Sequence, residues 1–76
     1  MLLNYTIAQL DIGYVHDDRA LEMGHLGYLQ WLGALRPDVG FVDEARRAHR
    51  LASPFIVTSP AIAVFCGLLE KAAISP

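Results

Sequence analysis

Two histidines, three carboxylates and an arginine crowd into ten positions of an otherwise apolar chain, His16-Asp17-Asp18-Arg19-Ala20-Leu21-Glu22-Met23-Gly24-His25. If a helix starts near Asp18, then Asp18, Glu22 and His25 share one face. Glu22-Met23-Gly24-His25 is also an E-x-x-H, the spacing at which one helix presents a glutamate and a histidine to a carboxylate-bridged metal pair. That chemistry needs a second E-x-x-H and further carboxylates, which one chain lacks and only a symmetric oligomer would supply. An oligomeric helical metalloprotein built on Glu22 and His25 is therefore the alternative reading. The simpler account makes Asp17 and Asp18 the capped start of a helix, where negative charge is favoured, with Glu22 on its solvated side.

Other reactive side chains carry weaker signals. His16 and His49 have no hydroxyl or thiol at a spacing that implies contact, so a hydrolase is disfavoured. Cys66 sits between Phe65 and Gly67 in the most apolar stretch, the setting of a buried, inert thiol. Gly24-x-x-Gly27 lacks the strand–turn–helix context of a phosphate loop. No catalytic residue and no cofactor is expected.

These residues must be held by helices. Breakers at Arg36-Pro37-Asp38-Val39-Gly40, Ser53-Pro54 and Ser59-Pro60 cut the chain into three or four helical pieces. The last begins with Ser59 as N-cap and Pro60 at the first helical position, with Ala61, Val64, Phe65, Leu68, Leu69 and Ala72 at helical spacing. The third, Phe41 to Ala52, sets Phe41, Ala45, Ala48 and Ala52 against Asp43, Arg46, Arg47 and Arg50, and Asp43 and Arg47 form an i,i+4 pair. The second, Asp18 to Arg36, places Leu21, Tyr28, Leu32 and Leu35 on one stripe, with Ala20, Gly24, Gly27 and Trp31 beside it. In the first, Leu3, Ile7, Leu10 and Tyr14 favour helix, with a capping box at Thr6-x-x-Gln9. The alternation of Leu10, Ile12 and Tyr14 leaves a short strand as the other option. The expected fold is all-α, one domain over residues 1–76, a small bundle of three to four helices with αα-hairpin packing.

Composition bounds the partners. A net charge of −2 gives no electrostatic footprint for nucleic acid. The uncharged run Leu51–Leu69 is long enough to cross a bilayer, but Ser53-Pro54 and Ser59-Pro60 break it, so no membrane span is expected. One cysteine excludes an internal disulfide and fits a reducing, cytoplasmic setting; no basic residue precedes an apolar core near Met1, so no signal peptide is expected. Against this stands a hydrophobic content of 54% in 76 residues. So small a domain has too little interior to hide so much apolar side chain. The excess is expected on the surface, as the contact face of a protein partner or a homo-oligomer.

Leu29 to Ala52 resembles a tetratricopeptide (TPR) unit, a helix–turn–helix with small residues where the helices touch. Leu32-Gly33 falls at the family's Leu-Gly pair, Gly40 at its turn, and Ala45 and Ala52 at its small contact positions. Arg36 and His49 stand where aromatics are usual, Pro37 shortens the first helix, and Pro54 arrives early. The resemblance implies an adaptor or chaperone-like role. Trp31, Tyr28 and Phe65 are the expected contact anchors of a non-enzymatic interaction module, with Arg46, Arg47 and Arg50 at a polar rim.

Overall fold

The computed structural model of the chain describes residues 2–74. Four α-helices make up its frame: α1 (Leu2–Leu10), α2 (Asp17–Gly33), α3 (Phe41–Ala52) and α4 (Pro60–Leu69). A 3₁₀ turn at Ser53–Phe55 follows α3, a π-helical turn at Glu70–Ile74 continues α4, and no strand occurs among the described residues. The fold is an all-α bundle, as the breakers and periodicity predict.

Each helix follows from local chemistry. In α1, Leu3, Ile7 and Leu10 recur at helical spacing and all three are buried. Because α1 starts at Leu2, the Thr6-x-x-Gln9 pattern lies inside the helix and is not its cap. Thr6 is fully buried, and its hydroxyl has no hydrogen-bond partner among the described residues. The chain then turns: Ile12 N–H donates to Leu10 O at 2.9 Å and Gly13 takes φ +80°, so the alternation of Leu10, Ile12 and Tyr14 belongs to an irregular segment.

Helix α2 opens with Asp17 and Asp18 in its first turn, but the N-cap is His16, with no side-chain capping bond. The two aspartates therefore act through charge at the positive end of the helix dipole. The helix ends at Gly33, short of the expected Arg36, because a residue preceding proline is disfavoured in the α region. Helix α3 has the expected limits, with Ala45, Ala48 and Ala52 fully buried. At α4, Ser59 caps as predicted, accepting from Ile62 N–H at 3.3 Å. The same buried hydroxyl donates to Leu10 O at 2.7 Å.

Helix α4 is the centre of the bundle. It packs most extensively on α2 and also on α1 and α3, while α1 leans on α2 and the π-turn rests on α3. Ile62, Phe65, Cys66 and Leu69 fill the middle of the core.

The inner face of α2 reverses the sequence expectation. Ala20, Gly24, Gly27 and Trp31 are buried, whereas Leu21 and Leu32 are exposed and Tyr28 and Leu35 half-buried. The reason is close approach. A Cβ on Gly24 would overlap Val64 and lie 3.0 Å from Ala61 O, and one on Gly27 would lie 2.8 Å from Leu10 Cδ1. Small residues let α2 settle onto α4 and α1, and that tilt turns its leucines outward. The Cα radius of gyration of 11.5 Å matches the ~11 Å of a folded globule of this length, so the exposed leucines do not reflect a loose chain.

Candidate functional surface

The three expected anchors meet, but inside the protein. Trp31 lies 5.8 Å from Tyr28, 5.9 Å from Phe41 and 6.5 Å from Phe65 between ring centroids, the last nearly perpendicular at 88°. Trp31 is only 4% exposed and Phe65 0%. In the single chain, both therefore serve as core, joining α2, α3 and α4, and only the half-buried Tyr28 reaches the surface. Their geometry is that of packed aromatics, edge-on and tilted.

What α2 offers outward is a row of leucines. Leu21, Leu29 and Leu32 follow one another at helical spacing, 51%, 59% and 38% exposed. Leu26 is exposed as well, farther round the helix. The row borders a shallow groove of about 270 Å³ between α2 and α4, lined by Leu21, His25, Val64, Gly67, Leu68 and Lys71. Neither a protein-family model, nor a curated protein, nor a solved structure matches this chain. The surface must be read from its own chemistry.

Phe55, Ile56 and Val57 form a second apolar feature, a tip between α3 and α4 on which Val57 is 90% exposed. The arginines lie on α3. Arg46 and Arg50 are exposed, and Arg47 reaches Glu44 at 3.9 Å. Arg47 also lines a recess of about 240 Å³ with Trp31, Leu35, Arg36 and Glu44. That volume is below the ~300 Å³ at which pockets begin to enclose a drug-sized ligand.

Glu22, His25, His49 and Cys66 each have a defined setting. Glu22 meets Arg19 at 3.5 Å. His25 Nδ1 donates to Leu21 O at 2.8 Å, because a carbonyl can only accept. Glu22 and His25 thus lie on neighbouring turns, and among the described residues no group of three or more His, Cys, Asp or Glu is placed to hold a metal ion. His49 Nε2 lies 2.8 Å from Glu70 Oε2, joining α3 to the π-turn. Burial, aided by the Glu70 carboxylate, pushes the Cys66 thiol up to about 11, so it is protonated at neutral pH and poorly nucleophilic. No helix among the described residues is long and apolar enough to cross a membrane.

The outward leucines were missed in the sequence because larger apolar residues were assigned to the core. The signal was present in Ala20, Gly24, Gly27 and Trp31, a small-residue stripe ending in one large ring.

Proposed function

We propose that this chain is a non-enzymatic protein-interaction module, an adaptor or chaperone-like subunit, that works through the outer face of α2 and the adjoining α2–α4 groove. The observation that supports it is the row Leu21, Leu29 and Leu32, left exposed on a helix whose opposite side is close-packed. Full burial of a leucine contributes roughly 1.5–3 kcal/mol. Covering three half-exposed ones then supplies several kcal/mol, the scale of a hot-spot cluster. His25 and Lys71 border the apolar groove and provide the polar edge an interface requires.

The test is a triple substitution, Leu21→Gln, Leu29→Gln and Leu32→Gln, compared with wild type by light scattering and chemical cross-linking after purification. The reading expects association to fall sharply with helical content and Tm retained. Association that is unchanged by the three substitutions would refute it. Elemental analysis of the same samples addresses the alternative: stoichiometric iron, zinc or manganese that disappears in His25→Ala would favour a metalloprotein built on Glu22 and His25.

A further inference from the structure

The recess beside Trp31 combines an apolar floor with a positively charged rim. It lies where α1, α2 and α3 meet the connection between α2 and α3. Leu3 and Trp31 are buried at its floor, and Leu35 and Val39 are half-buried. Arg36, Arg47 and Glu44 bring two guanidiniums and one carboxylate to it, an excess of one positive charge. Local chain geometry puts Arg36 there. Pro37 ends the helical run, and Val39 N–H donates back to Arg36 O at 3.3 Å, so the connection folds over the end of α2. A cavity of about 150 Å³ accommodates a benzene ring. The 240 Å³ of this recess therefore has room for one ring, or a short hydrocarbon chain, with a charged head at the rim. It shares no lining residue with the α2–α4 groove.

We propose that this recess binds a small apolar monocarboxylate, an aromatic or short-chain acid. Its hydrocarbon part lies against Trp31 and Leu35, and its carboxylate meets Arg36 and Arg47. A guanidinium is a planar fork that matches a carboxylate with two parallel hydrogen bonds. Arg36 bonds Asp38 at 3.2 Å, with both side chains mostly exposed, which is a weak pairing. A guanidinium carries five N–H donors, so Arg36 can keep Asp38 and still present donors to a second carboxylate. Charge and shape together narrow the ligand. An amine would meet two guanidiniums, and inorganic phosphate would leave the apolar floor uncovered and set extra negative charge beside Glu44. Arg36 and Arg47 are both partly open to solvent, so screening keeps the affinity modest, with Kd on the order of 1 mM.

Trp31 is the only tryptophan in the chain, so its fluorescence reports on the recess directly. Titration of the purified protein with phenylacetate, to about 20 mM, should give a saturable change. Amide and indole NMR shifts should move at Trp31 and over residues 34–39 and leave Leu21, Val64 and Leu68 unmoved. Three further probes separate the two halves of the site. Phenylethanol keeps the ring without the charge, phenethylamine reverses the charge, and inorganic phosphate has charge without the ring; each should bind at least about fivefold more weakly. Arg36→Gln should weaken phenylacetate about fivefold and leave phenylethanol unchanged. Arg36 is exposed, and circular dichroism confirms that the variant keeps its fold. Absence of a saturable change, or shifts that centre elsewhere, overturns the site. Phenylethanol binding as tightly as phenylacetate, or an Arg36→Gln variant that binds like wild type, overturns the carboxylate assignment. Phosphate binding as tightly overturns the apolar half.

Discussion

The Ser59 hydroxyl binds the end of α1 to the beginning of α4. It donates to the Leu10 carbonyl at 2.7 Å and accepts from Ile62 N–H at 3.3 Å, fully buried, across 49 residues of sequence. One side chain thus caps one helix N-terminally and adds a second hydrogen bond to a carbonyl at the C-terminus of another. Ser59→Ala should cost about 1–2 kcal/mol by urea denaturation, the sum of a lost cap and of one of the two hydrogen bonds to the Leu10 carbonyl, which keeps that from Ile12 N–H. Ser59→Thr keeps the hydroxyl and should lose less. Equal stability of the alanine variant and wild type would show that the bond contributes nothing.

The three glycines of α2 should respond to alanine in a fixed order. Gly33 has no neighbour within 4 Å of an added Cβ, so Gly33→Ala should gain up to about 1 kcal/mol from helix propensity. At Gly27 the obstacle is the end of the Leu10 side chain, which can rotate. At Gly24 it is the Cβ and Cγ1 of Val64 with the Ala61 carbonyl behind, and overpacking there should leave a net loss of about 1–2 kcal/mol. Thermal denaturation of the three variants checks the ranking, and a stabilised Gly24→Ala would mean that α2 and α4 are not in close contact.

Cys66 should resist alkylation in the native state and react at once in denaturant. It is 1% exposed, and its pKa is raised to about 11 from an ordinary 9.0. The sign of the linkage follows. Above pH 9 the unfolded thiol ionises while the folded one keeps its proton, so the unfolded state binds fewer protons and stability falls as pH rises. The loss should run from pH 9 to 11 and reach on the order of 2 kcal/mol. Cys66→Ala should flatten that slope, although it also leaves a small cavity. A slope unchanged in the variant would assign the alkaline loss to other groups.

His49 and Glu70 hold the π-turn to α3 through their 2.8 Å contact, with Glu70 about half exposed. His49→Ala should therefore cost no more than about 1 kcal/mol globally, yet speed amide exchange selectively over residues 70–74. Exchange that rises uniformly across α1 and α4 would show instead that the pair supports the whole bundle.

Punctuation and small-scale periodicity made much of the frame legible in the sequence. Ser59-Pro60 marks the start of α4, and Ala45, Ala48 and Ala52 define the inner side of α3, because a cap and an alanine stripe act locally. Two things were not legible. The orientation of α2 depends on what it packs against: Leu21 and Leu32 look like core until Gly24 is seen against Val64. Trp31 and Phe65 look like anchors until their rings are found packed edge-to-face in the interior. The glycines of the second helical piece do point to close backbone approach, and Trp31 on their side reads equally as packing on a neighbouring helix. Which leucines are turned outward, however, depends on the surface that α2 meets.

The close contact of Gly24 and Gly27 with their neighbours has a further consequence, for how this protein can change over time. Close packing and the proposed recognition lie on opposite sides of the same 17-residue helix, one in residues without side-chain bulk and the other in partly exposed leucines. Substitutions on the outer side can therefore accumulate at little cost to the fold, while the inner side stays fixed.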